Sequence, residues 1–178
     1  MTFPVFAAGE VLRAQDMNAV SGWKTGATAF SSNLAVADSC FSADYDNYLV
    51  VLTTTATGSP TTFDLIFRTG SGDYTTSAYV WQNSIFTTSA AFARQTTNGT
   101  SAQLLPDTGA DIYSLNITVS NPFSSSLNTT YHHQGQVGGT VAVNGAGRVG
   151  NNTSFTGVKI RFNGSTTNGQ IKVYGLRN

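Results

Sequence analysis

The sequence predicts an all-β chain: a jelly-roll-like antiparallel β-sandwich preceded by a short N-terminal arm with one helix. Three observations carry this. Ser, Thr and Asn make up roughly a third of the 178 residues and Gly adds 18 more. Thr favours strands, whereas Ser, Asn and Gly favour turns. From about Leu34 onward, apolar residues recur every second position in short runs bounded by turn clusters, the pattern of half-buried antiparallel strands. The 3.6-residue periodicity of a helix appears only near the N-terminus.

The arm comprises residues 1–30 and the sandwich residues 31–178. Within the arm, Ala14, Met17 and Val20 recur at three-residue spacing, which places them on one face of a helix over about 13–21. Gly22 is a stop signal, and Pro4 and Gly9 keep the preceding segment extended. A helix this short is marginal alone. Phe3, Val5, Phe6, Leu12, Met17 and Trp23 therefore have to pack against the sandwich or against another chain.

In the sandwich, Asn47 to Thr54 starts as a nearly continuous apolar run, as for a strand buried on both faces or at a sheet centre. Phe63, Leu65 and Phe67 alternate with Asp64, Ile66 and Arg68, and Tyr113, Leu115, Ile117 and Val119 with Ser114, Asn116 and Thr118. Val158, Ile160 and Phe162 alternate with Lys159 and Arg161, and Ile171 and Val173 flank Lys172. Turn clusters are read at residues 57–60, 69–73, 144–147 and 163–169, and eight to ten strands are expected. The glycine run from Gly135 to Gly150 reads as tight hairpins. It lacks the Lys-Ser/Thr ending and following helix of a phosphate loop.

Charge excludes several partner classes. Lys plus Arg and Asp plus Glu number 9 each, and charged residues are 10% of the chain, against roughly 25% in an ordinary soluble domain. A chain without a basic face is not expected to bind nucleic acid. No apolar run approaches the roughly 20 residues of a membrane span, so no membrane insertion is expected. The first ten residues lack the basic start and apolar core of a signal peptide. Synthesis and folding in a cytoplasm are the expectation. Cys40 is the single cysteine, which leaves no intrachain disulfide and no multi-cysteine zinc site.

A search for chemistry finds little to converge. His132 and His133 are adjacent in a predicted strand, and neighbouring strand residues point to opposite faces. They cannot both ligate one metal ion within a chain, and one should be partly buried while the other meets solvent. Asp44 with Asp46, and Asp107 with Asp111, sit beside turn residues, where backbone capping accounts for them. Glycoside hydrolysis needs two carboxylates about 5–10 Å apart in a cleft, and no such pair stands out. No Gly-x-Ser-x-Gly elbow surrounds any serine. The sequence thus predicts no catalytic residue, metal or cofactor. Tyr74, Tyr79 and Trp81 are the candidate platform for a sugar ring, since aromatic faces stack on sugars. Asn-x-Ser/Thr triplets such as Asn98-Gly-Thr follow from composition alone.

Two stretches together resemble a known group. Phe6-Ala-Ala-Gly-Glu-Val-Leu-Arg-Ala-Gln-Asp-Met-Asn18 resembles the phrase F-x-x-G-x-x-L-T-A-x-D-M/L-N, which opens many bacteriophage tail-fibre and minor virion proteins. Phe155-Thr-Gly-Val-Lys-Ile-Arg-Phe162 and Gly169-Gln-Ile-Lys-Val-Tyr-Gly-Leu-Arg177 are similar to the closing strands of the sandwich in those proteins. Tyr45-Asp-Asn-Tyr48 and Asn121-Pro-Phe-Ser-Ser125 fit the same pattern. Residues 81–107 are not covered, and Arg13 stands where the phrase has Thr or Ser.

The resemblance implies a virion structural protein, homotrimeric and joined to other virion proteins through its N-terminal arm. Phe3, Phe6, Leu12, Asp16, Met17, Asn18 and Trp23 would then be attachment residues. It carries no catalytic residues. The expected role is a tail appendage of fibre or receptor-binding type, with host surface glycan as a partner. The alternative is a capsid decoration, cement or collar protein without a host ligand, and a glycan depolymerase is the distant third.

Overall fold

A computed structural model describes residues 23–56, 61–105, 113–137 and 141–176. They form thirteen strands: β1 (Trp23–Ser32), β2 (Leu34–Ala37), β3 (Asn47–Ala56), β4 (Thr62–Thr69), β5 (Gly72–Asp73), β6 (Tyr79–Thr87), β7 (Ala91–Gly99), β8 (Ala102–Leu105), β9 (Tyr113–Ser120), β10 (Thr130–Val137), β11 (Val141–Val149), β12 (Gly157–Asn163) and β13 (Thr167–Leu176). The larger sheet has eight strands in the order β1-β13-β3-β9-β10-β11-β6-β7, and the smaller joins β2-β12-β4-β5 with β8 also on β4. Every pairing is antiparallel. The expected antiparallel β-sandwich is the observed fold. It has more strands than the eight to ten anticipated, because β2, β5 and β8 are too short to show a period of two.

The core lies between the sheets, and alternation explains who enters it. Tyr48, Val50 and Leu52 of β3, Leu115, Ile117 and Val119 of β9, and Ile171 and Val173 of β13 project inward from the larger sheet. Phe63, Leu65 and Phe67 of β4 meet them from the smaller sheet, with Val158, Ile160 and Phe162 of β12. Phe67 is the hub: it stacks on Phe155 at 5.0 Å and on Tyr79 at 6.3 Å. Each such buried ring contributes on the order of 2–3 kcal/mol.

Two buried tyrosines tie loops to this core. The Tyr48 hydroxyl donates to Ser42 O and accepts from Ser42 N, both at 2.8 Å. The Tyr79 hydroxyl donates to Tyr74 O and accepts from Phe67 N, both at 2.9 Å. A buried phenol is tolerated because both its roles are satisfied.

Several local expectations are corrected. Residues 23–30, assigned to the arm, belong to the sandwich: β1 pairs with β13 from Trp23↔Tyr174 to Ser32↔Thr167. β1 is rich in small residues and Thr, so its alternation is faint, and its pairing comes from β13. Phe3, Phe6, Leu12, Asp16, Met17 and Asn18, and the arm helix, lie outside the described residues. Of the two readings of β3, the one within the sheet holds: it is paired on both sides, by β13 and β9, and buried on one face, with Leu49 and Val51 half-covered on the other. β4 is closed on both faces, its outer Asp64 and Ile66 being buried as well, and β12 is nearly so, with Lys159 buried beside Val158 and Ile160. Asn144–Gly147 is no turn but the middle of β11. The turn read at 163–169 shrinks likewise, because β13 already begins at Thr167.

Candidate functional site

The smaller sheet turns an ionic face outward. Arg68 bridges Asp38 at 2.8 Å and Asp73 at 3.1 Å, Lys159 pairs with Asp73, and Arg161 Nη2 holds Asp64 at 2.7 Å. These pairs occupy Asp38, Asp64 and Asp73, while Asp44 accepts from Ser42 Oγ at 2.9 Å in its turn. Each of these carboxylates is engaged in an ion pair or turn hydrogen bond, and Asp38 and Asp73 share the guanidinium of Arg68. Asp107 and Asp111 lie outside the described residues. Among the described residues, no group of three or more His, Cys, Asp or Glu side chains gathers to hold a metal ion, and no helix is long and apolar enough to cross a membrane.

Cys40 is buried, and burial pushes its thiol up to about 12. It is therefore protonated and donates to Ala37 O at 3.3 Å, a packing residue and not a nucleophile.

The histidines diverge as predicted. His132 is exposed, whereas His133 is fully buried beneath β8 with Nε2 3.0 Å from Leu104 O. Burial lowers its pKa to about 4; the bond to Leu104 O opposes this, and the nearby His132 adds to it. At neutral pH it is an uncharged core residue.

The aromatic platform is not assembled. Tyr79 is fully buried with both hydroxyl roles taken inside the chain, so it cannot meet a sugar. Tyr74 is half-buried against Phe155, and its hydroxyl accepts from Asn151 Nδ2. Trp81 is half-buried against the core. An inward strand position on a sandwich serves packing first, which accounts for Tyr79 and Trp81 of β6, while Tyr74 packs from the loop after β5.

What the fold does assemble is the outer face of the larger sheet over β9, β10, β11 and β6. Cross-strand register brings Asn116, Gln134, Asn144 and Ser84 into one row. The row on one side reads Ser114, Gln136, Ala142 and Phe86, and on the other Thr118, His132, Ala146 and Gln82. All of these are exposed except half-buried Thr118. A further row of Ser120, Thr130, Arg148 and Val80 closes the face, and Arg148 is its one fixed charge. Adjacent strands are ~4.8 Å apart, so the amides of a row are neighbours.

The face is not flat. The outward residues of β11 include Ala142 and Ala146, flanked by longer Gln134, Gln136 and His132 on β10 and by Gln82 and Phe86 on β6. A cleft of 540 Å³ opens at one end, lined by Phe86, Ser114, Asn116, Gln134, Gln136 and Asn144 among others. A second, of 460 Å³, lies at the other end beside Gln82, Trp81, Ala146 and Arg148. Both volumes fall in the range of ligand sites, about 300–1,000 Å³. Carboxamides and hydroxyls both donate and accept, so this surface can bind a polyhydroxylated ligand but offers no acid–base pair. Reading the chain as sequence missed it because Asn144 looked like a turn residue. The signal was present in the polar partners of the alternating strands.

No family model matches the chain, and no curated protein matches it. Among solved structures, it is similar to the Caenorhabditis elegans galectin LEC-6, with 13% identity over 82% of this chain and 94% of that one, at a TM-score of 0.40. A human SPRY domain shares 11% identity over 82% of this chain and 86% of its own, at 0.33. The alginate lyase Aly36B, solved with an alginate tetrasaccharide, shares 10% identity over 85% of this chain and 80% of its own, at 0.32. No residue of this chain takes a role from these likenesses.

Proposed function

We propose that this chain is a non-enzymatic structural protein of a bacteriophage particle, a homotrimeric tail appendage of fibre or receptor-binding type. Its N-terminal segment attaches to other virion proteins and its sandwich is turned toward the host surface. The observation that carries the receptor-binding role is the uncovered, nearly charge-free amide and hydroxyl face of the larger sheet. A protein serving only as a structural plug has no need of an ordered polar face with two clefts. The virion role itself is supported by the phrase Phe6 to Asn18 and the closing strands Phe155–Phe162 and Gly169–Arg177.

The test is location and competition. Labelled antibody against the sandwich should decorate tail tips, and free protein should slow adsorption of particles to cells. Decoration of heads without any effect on adsorption would favour a capsid cement or collar protein instead. Absence from particles would remove the virion reading altogether.

A further inference from the structure

We propose that the groove along β11 on the outer face of the larger sheet binds a neutral, unbranched glycan segment. The inference deepens the receptor-binding reading above and rests on it only for the biological source of the sugar. Two clefts lie in line over β11, one at Ala142 and Asn144 and one at Ala146 and Arg148. Ala142 to Arg148 spans about 20 Å at strand rise, long enough for a short oligosaccharide that occupies both. The groove's floor is low because Ala142 and Ala146 alternate with Asn144 as the outward residues of β11. Its walls are Gln134, Gln136 and His132 on β10, and Ser84, Gln82 and Phe86 on β6.

The chemistry of these walls selects the ligand. Among the described residues, the side chains of Asn116, Gln134, Gln136 and Asn144 take part in no hydrogen bond and are exposed. Each amide presents donor and acceptor together, matching sugar hydroxyls that also do both. Phe86 is 50% exposed at the groove's end, an open ring on which the C–H face of a sugar can stack. An acidic glycan or nucleic acid would call for paired cations, and Arg148 is alone. A protein partner would call for a centre of Trp, Tyr, Met or Arg, whereas this centre is Asn, Gln, Ser and Ala. A neutral carbohydrate fits what is left.

The experiment titrates the full chain with maltotetraose, cellotetraose and a β-1,4-galactan tetrasaccharide as neutral probes, and a tetra-galacturonate as the acidic one. Amide NMR follows the side-chain signals of Asn116, Gln134 and Asn144. At least one neutral probe should shift these signals saturably, with an affinity unchanged between 50 and 500 mM salt, on the order expected when no ion pair is formed. Ala142→Trp, which fills the groove at an exposed strand position, should weaken that probe at least tenfold while leaving the circular dichroism spectrum unchanged. Asn144→Ala should weaken it severalfold, on the scale of one or two lost hydrogen bonds. No shift with any neutral probe at 10 mM overturns the proposal. So does equal affinity of the wild type and both variants, or salt-sensitive binding of the acidic probe alone. Failure here leaves antibody labelling of particles untouched, and failure of labelling leaves the titration untouched, so the two readings fall separately.

Discussion

His133 and Asn83 flank Gly145 on the buried face of the larger sheet, in direct cross-strand register, and both reach under β8. His133 Nε2 lies 3.0 Å from Leu104 O and Asn83 Nδ2 donates to Gln103 O at 2.7 Å. Because a carbonyl only accepts, Nε2 of His133 carries the proton. Nδ1 of His133 and Oδ1 of Asn83 are then acceptors with no hydrogen-bond partner among the described residues. The pair pins the short strand β8 over the end of the sandwich core. It also holds an imidazole where it cannot readily accept a second proton.

That placement makes folding stability depend on pH. The folded imidazole is held to about 4 against 6.5 for the free group, so between those values the unfolded chain binds more protons. Stability is therefore full above pH 6.5 and falls as pH drops toward 4. The loss by pH 5 should be about 2 kcal/mol, an order-of-magnitude figure. Urea unfolding at pH 7.5 and pH 5 measures it, and equal midpoints would contradict a buried neutral His133.

Gly145→Ala should destabilise the chain more than an ordinary strand substitution. A Cβ there would sit 2.5 Å from His133 Cε1 and 2.8 Å from Gln82 O, and closer still to Asn83 Oδ1. The backbone oxygen cannot swing away, so the strands must part. A cost of about 2–3 kcal/mol is expected from overpacking of this kind, read as a lowered urea midpoint at unchanged slope. A variant within 0.5 kcal/mol of wild type would show that the His133–Asn83 pair yields freely, with ~0.5 being the size of a neutral surface change.

Deletion of residues 1–22 should leave the sandwich folded, because β1 starts at Trp23 and all other strands follow it. The truncated chain should keep a β-type circular dichroism spectrum and fail to join particles. Truncated protein found on virions at normal copy number would remove the attachment role from Phe3, Phe6, Leu12, Asp16, Met17 and Asn18.

The full chain should sediment as a trimer, at three times its 18.7 kDa. β7 is an outer strand of the larger sheet, and all nine of its residues are exposed or half-exposed. Phe92, on its inward-pointing side, is 42% exposed. An open edge of this kind invites pairing with another chain, and closed symmetry limits it. A stable monomer at micromolar concentration would count against the trimer.

Purified protein should release no new reducing ends from host envelope polysaccharide. Asp38, Asp64 and Asp73 are held in ion pairs with Arg68, Lys159 and Arg161 and His133 is sealed in the core, whereas glycoside hydrolysis needs a free acid beside a second carboxylate. Release abolished by one Asp substitution that preserves the fold would identify a depolymerase.

The period of two by itself determined the sandwich. Leu115, Ile117, Val119, Ile171 and Val173 alternate with polar residues, and a half-buried strand satisfies that spacing. The divergence of His132 and His133 was equally legible, because facing along a strand is a property of the chain alone. Glycine was not legible: Gly145 and Gly147 look like turn residues in sequence, yet both lie in β11. They are small because Asn83, His133 and Tyr131 from neighbouring strands occupy the space where their side chains would be. Nor was the platform legible, since Tyr74, Tyr79 and Trp81 carry the same rings whether they point into the core or out of it. Only register decides that Asn116, Gln134, Asn144 and Ser84, drawn from four separate strands, stand side by side. Pairing is set by long-range packing of the two sheets, and a linear sequence does not encode which polar faces will be neighbours until that core has closed.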